Sequence, residues 1–509
     1  MIKMRRKSLI WVGWIALFFL AAWLRLNNLE STPIHADEAT GAKILSQRIE
    51  GTGYNFDPKH YHGPFPSLVA ESIARLSGET SWVDLSLFTL RLGSVIAGLL
   101  TVMSPLLWAK TVGVVPALAA AACLASSPLL VYYNRIYIHE SWLLLFGIIT
   151  LAALHRLYAR KNLPMAIISG ISIGLLFAIK ESFVLSILAW AGSATLLLVI
   201  HRPKLRLHRL RPQSLTLVFL LVLASFCTSS YLYSDGFRNL QGIIDSCKTY
   251  IDYETAPGHE KKFSYYLHFL LWPKKTVGTL WTEITVFALA AIGLWRTGKE
   301  RKSGSIGIFL ATATLLHWIL YSCIAYKTPW LMLLPWGHVC LLAGLAFYNY
   351  QTLSLTQRRS LMLLFIGSIG WQIVQSREAT GTYANDERNP YAYVATSRDA
   401  RKIPKWIQQI QALPEASIRQ NNRIAVIGKQ YWPLPWFLRD FREVEYHPIP
   451  NKSLADYSIV FALPEQNTAC DALLGKSHDK FLKSLRSNVP VSIYLQKDLA
   501  KAWYQTNPQ

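Results

Sequence analysis

Charge is scarce in this chain. Asp, Glu, Lys and Arg together make up 16% of its 509 residues, against 52% hydrophobic and 12% aromatic. Acidic residues are scarcer still, 30 against 52 basic ones, for a net charge of +22. Cysteine is rare as well: six residues, scattered and without metal-type spacing, which excludes a disulfide framework or a cysteine-built metal cluster. Internal repeats and low-complexity tracts are absent. No small-residue cleavage site follows Leu24, so the first apolar segment reads as a retained span and not as a secretory signal.

What the chain has in abundance is uncharged apolar sequence. Segments near the roughly 20 residues needed to cross about 30 Å of hydrocarbon recur through its first three-quarters. They run Leu9–Leu24, Leu92–Ala109, Val112–Tyr133, Ser141–Leu154, Leu163–Ile179, Ser182–Ile200, Leu215–Tyr233, Thr276–Trp295, Ile306–Tyr326, Leu331–Tyr348 and Leu361–Val374. The reading is a polytopic membrane protein, mainly α, with about eleven transmembrane helices.

The excess of positive charge follows this topology. With the N-terminus inside, the inner loops carry Lys3, Arg5, Arg6, Lys7, Lys110, Arg156, Arg160, Lys161, Arg202, Lys204, Arg206, Arg209, Arg211, Arg296, Lys299, Arg301, Lys302, Arg358 and Arg359. Nineteen basic residues thus face a single acid, Glu300, and supply +18 of the +22. That is the positive-inside bias, and a nucleic-acid footprint is not needed to explain the charge. Eleven crossings leave the C-terminus outside.

The division expected is a membrane module over residues 1–375 and an extracytoplasmic domain over 376–509. From about Ser376 no spanning segment remains. Ile424–Gly428, Tyr457–Phe461 and Val491–Leu495 read as strands, with a helical stretch over Tyr431–Phe441, which argues a small α/β domain. Cys123, Cys227, Cys323 and Cys340 fall in apolar segments. Cys247 and Cys470 fall in outer regions, and their pairing is left open.

Polar clusters gather at the outer ends of the spans. The first outer loop, residues 25–84, holds Ile34-His35-Ala36-Asp37-Glu38-Ala39 and Tyr61-His62-Gly63-Pro64, with short helices read over Ala39–Ile49 and Ser67–Leu76. Later junctions hold Arg135, His139 and Glu140, then Lys180-Glu181-Ser182, then Tyr326-Lys327-Thr328-Pro329-Trp330. Asp37 and Glu38 offer a base, or oxygen ligands for a hard divalent cation such as magnesium or manganese. Arg135, Lys180 and Lys327 offer cations for a phosphate, and His62 a further donor. Carboxylate beside cation at the edge of a bilayer suits group transfer from a lipid-linked phosphate. Since such a phosphate leaves without prior protonation, one base for the acceptor is enough.

Each residue also has a plainer reading. Asp37 and Glu38 could cap an interfacial helix, Lys180 and Arg135 could snorkel to headgroups, and His139 could be merely interfacial. Trp272, Trp281 and Trp330 fit an aromatic belt. Glu283, two turns inside the eighth segment, reads as lining a cavity. A secondary transporter fits less well, because these charges sit at the outer rim and not at midplane.

The Asp37-Glu38 pair after the first span resembles that of the GT-C membrane glycosyltransferases, in particular glycosyltransferase family 39 with its protein mannosyltransferase and aminoarabinose transferase relatives. More closely, His35-Ala36-Asp37-Glu38-Ala39, Tyr61-His62-Gly63-Pro64, Tyr326–Trp330, Asn389-Pro390-Tyr391 and Tyr431-Trp432-Pro433-Leu434-Pro435-Trp436 resemble the flippase-activity-associated branch. The resemblance implies a GT-C-type bundle with an outer active site, Asp37 as base beside Glu38, and Glu140 as a further acidic site residue. It implies transfer of a sugar from a polyprenyl-phosphate donor to an acceptor hydroxyl on a glycan, lipid or protein, with inversion. The alternative it carries is a non-catalytic protein associated with flipping lipid-linked sugars. One departure is that aminoarabinose transferases have a lysine before the proline, where this chain has His62-Gly63. Lys180 or Arg135 would then supply the missing charge.

Overall fold

The computed structural model describes residues 2–51, 53–201, 212–254, 258–298, 303–413 and 423–506. The expected inner-loop charges at 202–211 and 299–302 lie outside the described residues. The chain forms two compact units. One comprises Met1–Leu29, Gly51–Ser77 and Phe88–Thr382; the other comprises Glu30–Glu50, Gly78–Leu87 and Tyr383–Gln509.

The first unit is helical. Among the described residues, six helices are long and apolar enough to cross a membrane: Leu87–Val112, Glu140–Arg160, Phe183–Ile200, Gln213–Tyr233, Ser305–Cys323 and Pro329–Phe347. Ile10–Leu26, Val114–Ser126, Leu163–Ile179 and Ile284–Gly298 are shorter apolar helices, and Leu355–Thr380 runs for 26 residues. Every residue of the Leu333–Gly344 helix is buried. It is apolar all round, as a helix enclosed by other helices must be.

Close helix packing rests on small residues. A Cβ at Gly170 would come within 2.3 Å of the Leu221 carbonyl oxygen, and one at Gly174 within 2.5 Å of that of Ser225. Two glycines four apart therefore form the face on which the Leu163–Ile179 helix meets Pro212–Tyr233. Without a hydrophobic drive inside a membrane, such close approach is what holds helices together.

The eighth apolar segment begins differently from expectation. Residues 274–281 form a hairpin of β1 (Lys274–Thr276) and β2 (Thr279–Trp281), and the helix starts only at Ile284. Val277 and Gly278 both take positive φ, the backbone of a tight two-residue hairpin turn. Glu283 thus stands at the mouth of the helix and not two turns within it. It is fully buried. Its carboxylate accepts from Ser127 Oγ at 2.8 Å, Leu129 N at 3.0 Å and Trp336 Nε1 at 3.0 Å, fastening three helical segments. Two of the expected belt tryptophans, Trp281 and Trp330, are also buried, whereas Trp272 is exposed.

The second unit carries a five-stranded mixed sheet. Its strands are β3 (Ile424–Ile427), β4 (Val444–His447), β5 (Ile459–Ala462), β6 (His478–Arg486) and β7 (Val489–Gln496). The order is β4-β3-β5-β7-β6; β3 pairs in parallel with β4 and β5, and the other pairs are antiparallel. Ala425, Ile427, Val460, Ala462, Leu454, Leu474 and Tyr494 build its core. The stretch Tyr431–Phe441, expected as helical, is helical only over Leu434–Phe437, since Pro433 and Pro435 leave little room for a longer helix. Cys470 is buried in this core, Cys247 is exposed, and both are free.

Removing the Glu283 carboxylate would take away the acceptor of the Ser127 hydroxyl and the Leu129 N–H, at roughly 1–3 kcal/mol for each buried group, while Trp336 Nε1 keeps Ser127 Oγ at 3.2 Å. Glu283→Ala should therefore lower the thermal midpoint in detergent, followed by tryptophan fluorescence, by several degrees. Glu283→Gln, which keeps an acceptor oxygen, should lose less. Equal midpoints for Glu283→Ala and the unaltered protein would show that the fastening carries no stability.

Candidate functional site

The Asp37 loop is built by a helix cap. His35 has extended backbone (φ −73, ψ 155) and precedes the Ala36–Ile49 helix as its N-cap. Its Nδ1 accepts from Asp37 N at 3.2 Å, and Glu38 Oε2 accepts in return from His35 N at 2.9 Å. This is a capping box with histidine where serine or threonine is usual. A ring nitrogen that accepts is unprotonated, so the proton sits on Nε2, which donates to the Tyr393 carbonyl at 3.1 Å. Thr396 Oγ1 donates to the Ile34 carbonyl at 2.6 Å, tying the loop to the same segment.

The cap separates two adjacent carboxylates. Glu38 is fully buried and occupied by the His35 backbone. Asp37, one residue earlier, keeps a side chain 56% exposed. Burial lowers the Arg486 guanidinium from its ordinary value, and the Asp37 and Glu465 carboxylates partly restore it. The expected pairing of Asp37 with Glu38 as metal ligands does not fit this arrangement, because Glu38 is turned into the fold. Among the described residues no group of three or more His, Cys, Asp or Glu side chains converges as a metal site would require.

In the helical unit, the structure brings His62, Glu140 and Lys180 into one cluster. Lys180 ends the Leu163–Ile179 helix in extended conformation (φ −159, ψ 138). Its Nζ lies 2.6 Å from Glu140 Oε1, and both side chains are buried. Burial alone pulls the Lys180 ammonium down, but Glu140 and Glu181 together hold it above the ordinary lysine range. Glu181 pairs with His62 Nδ1 at 2.9 Å. Burial pushes the Glu181 carboxyl up, yet His62 and Lys180 outweigh it and hold it down at about 2. Tyr253 Oη meets His62 Nε2 at 3.3 Å, and the His139 ring lies 4.9 Å from that of His62. Burial, with His62 and Lys180 nearby, keeps His139 well below its ordinary value and hence neutral.

Gly63 explains why this loop can reach the cluster. A Cβ there would stand 2.2 Å from the Ala178 carbonyl oxygen. Only glycine lets the 61–64 backbone lie on the end of the Leu163–Ile179 helix and set His62 beside Glu181. Glu181 and Tyr253 did not figure among the expected site residues. Adjacency to Lys180 could have flagged Glu181; Tyr253 is one of several aromatics in a long loop, and nothing in the sequence distinguishes it.

Two expected phosphate contacts are occupied by main chain. Arg135 donates from Nη1 to the carbonyls of Arg25 (2.9 Å) and Leu24 (3.3 Å), and from Nη2 to that of Asn28 (3.0 Å). It caps the C-terminal end of the first helix, where a cation meets the negative end of the dipole. Burial brings it down to about 10. Lys327 Nζ donates to the carbonyls of Lys261, at 3.0 Å, and Ile324. Asp37 and Glu38 belong to the second compact unit; His62, Arg135, Glu140, Lys180 and Lys327 belong to the first.

Residues 61–231 match the family model described as dolichyl-phosphate-mannose-protein mannosyltransferase. No curated protein matches the chain. Among solved structures, ArnT from Cupriavidus metallidurans in the apo state is similar at 14% identity, over 98% of this chain and 99% of that one, with a TM-score of 0.60. The same protein bound to undecaprenyl phosphate is similar at 13% identity, over 97% and 98%, with a TM-score of 0.57. The Archaeoglobus fulgidus oligosaccharyltransferase tethered with an acceptor peptide is similar at 12% identity, over 97% of this chain and 77% of that one, with a TM-score of 0.56. The fold is therefore of the GT-C type, with a small C-terminal β-containing domain.

Breaking a buried ion pair by removing one partner costs about 3–5 kcal/mol, because the other charge is left in low dielectric. Lys180→Met should accordingly destabilise the protein in detergent by that order. The double variant Lys180→Met with Glu140→Gln should recover much of the loss. Additive losses in this mutant cycle would show that the two side chains are not coupled.

Proposed function

We propose that this protein is an integral membrane glycosyltransferase that moves a sugar from a polyprenyl-phosphate donor to an acceptor hydroxyl on the extracytoplasmic face. The observation that carries the reading is Asp37: an exposed carboxylate held by a helix cap, in a chain whose fold follows ArnT from end to end. The ArnT structure with undecaprenyl phosphate supports a lipid phosphate as the carrier.

Asp37 accepts the proton of the acceptor hydroxyl as its oxygen attacks the anomeric carbon. The bond from that carbon to the phosphate oxygen breaks, its electron pair leaves with the polyprenyl phosphate, and the anomeric centre inverts. The leaving group is already anionic, so the demand is for a cation near it and not for a general acid. Within the helical unit, Lys180 is the expected cation bonded to a carboxylate and not to carbonyls. An ammonium has three donors, and Glu140 Oε1 takes one.

The orientation proposed has the N-terminus inside and the 376–509 domain outside, supported by the nineteen-to-one charge bias of the inner loops. Single cysteines at Ser77 and Glu387, both exposed, should react with an impermeant thiol reagent in spheroplasts, and one at Ser214 should not. The reverse labelling pattern would overturn the orientation.

Asp37→Asn keeps the side-chain shape but cannot take a proton. General-base catalysis contributes about 10²–10⁴-fold, so transfer should fall by that factor with normal protein levels and normal melting. Glu38→Gln should chiefly lower stability, by about 1 kcal/mol for the weakened cap. A deletion strain fully complemented by Asp37→Asn would sink the catalytic assignment and point to a non-catalytic role.

A further inference from the structure

The sheet of the second unit reverses its winding at β3. The chain leaves β3 to lay β4 on one side and later lays β5 on the other, both parallel to it. In open sheets of this kind, the loops at the carboxyl ends of the strands part at the reversal and leave a crevice in which ligands bind. Here those loops are 428–433, after β3, and 463–466, after β5.

The side chains at this point are unlike an ordinary loop surface. Gly428 has φ +129, and a Cβ on it would lie 2.8 Å from Leu463 Cβ and 2.9 Å from Glu465 Oε1, so the loops close at the root of the crevice. Lys429 N donates to Glu465 Oε1 at 3.4 Å. Next come three aromatic rings: Tyr431 lies 4.9 Å from Tyr446 and 6.1 Å from Trp432. Tyr431 and Trp432 are half-buried and Tyr446 is 37% exposed. Arg486, at the end of β6, donates Nη2 to the Gln430 carbonyl at 2.9 Å, while its buried Nε has no hydrogen-bond partner among the described residues.

Asp37 is tied to the same end of the sheet. Thr396 forms a β-bridge with Arg486 and donates to the carbonyl of Ile34, three residues before Asp37. The charges of Asp37 and Glu465 are the two that reach the Arg486 guanidinium.

We propose that this crevice binds the acceptor as a neutral carbohydrate, with Tyr431 and Trp432 against the apolar face of a sugar ring and Glu465 and Arg486 on its hydroxyls. The assignment rests on the reading of Asp37 as the base, to which one of those hydroxyls is presented. Two carboxylates, Asp37 and Glu465, lie within electrostatic reach of the Arg486 guanidinium, and the Glu465 carboxylate accepts from Lys429 N, an arrangement that gives an anionic ligand no advantage. A hydroxyl both donates and accepts, and so suits a carboxylate and a guanidinium side by side. Half-exposed aromatic rings supply rigid apolar area at small entropic cost. A peptide added as a strand would need a free sheet edge, and the crevice lies at strand ends.

The test uses the full-length protein in lipid nanodiscs on an array of neutral and anionic oligosaccharides, with no lipid donor present. Wild type should bind a subset of the neutral glycans. Trp432→Ala should weaken that binding roughly two- to tenfold, the range for loss of one aromatic contact, and Trp432→Phe should weaken it less. Glu465→Gln serves as a second variant should Trp432→Ala melt early. Absence of neutral-glycan binding by wild type, or binding unchanged in both Trp432→Ala and Glu465→Gln, overturns the proposal. Transfer to a peptide acceptor without glycan binding removes the crevice assignment and leaves the transferase reading standing. Glycan binding lost with Trp432→Ala, in a protein that never transfers sugar, keeps the crevice and removes Asp37 as a base.

Discussion

A charge taken out of water must be met by an opposite charge or by main-chain dipoles, and this constraint arranges the helical unit. Arg25 donates to the carbonyls of Leu124 and Ala125 at the end of one helix, and to Asn134 Oδ1. Arg135 does the same for the first helix. Glu283 accepts from the first turn of the Pro128–Tyr133 helix. These groups use helix ends as counter-charges, and in doing so they fix where each helix stops. Lys180 and Glu140 are the exception: each answers the other, and both stand at helix ends without being absorbed by main chain. That separates Lys180, bonded to a carboxylate, from Arg135 and Lys327, bonded to carbonyls, though all three look alike in sequence.

The same reasoning divides Asp37 from Glu38. In a helix beginning at Ala36, residue 38 is the position from which a glutamate reaches back to the cap, and Glu38 does so. Residue 37 has no such backbone partner within reach. An adjacent pair of carboxylates is thereby turned into one structural and one available group by their phase relative to the helix start.

The apolar segments were largely legible because length and hydropathy are local properties. The Leu163–Ile179 helix matches its expected bounds, and the strands Ile424–Ile427, Ile459–Ala462 and Val489–Gln496 fall within a few residues of theirs. What escaped were elements whose pattern is weak or mixed. β4 pairs with a neighbour on one side only and alternates few apolar residues. β6 is another edge strand, with Asp479, Lys480 and Lys483 along it, the charges by which edges avoid pairing with other chains. The hairpin at 274–281 hid inside an apolar run, because Leu280 and Trp281 suit a strand as well as a span. At the site, His62, Glu140 and Lys180 could be named from their positions at span ends. Whether a cation meets a carboxylate or a carbonyl depends on three-dimensional neighbours, so Arg135 and Lys327 could not be told apart from Lys180.

The proposed chemistry asks little of the protein in acid–base terms, and the site residues agree with that. Hydrolysis or transfer from a glycoside needs an acid to protonate a poor leaving group as well as a base or nucleophile, hence two working carboxylates about 5–10 Å apart. A phosphate leaves as a stable anion, so the second carboxylate has no proton to give. Glu38 can then be committed to the cap without loss of function, and the cap in turn holds Asp37 at a fixed place on the helix. The histidine cap adds a condition: Nδ1 must stay unprotonated to accept from Asp37 N. In that tautomer the ring proton is on Nε2, which donates to the Tyr393 carbonyl. The loop is thus ordered by one tautomer of one ring, which accepts from Asp37 N on one side and donates to the Tyr393 carbonyl on the other.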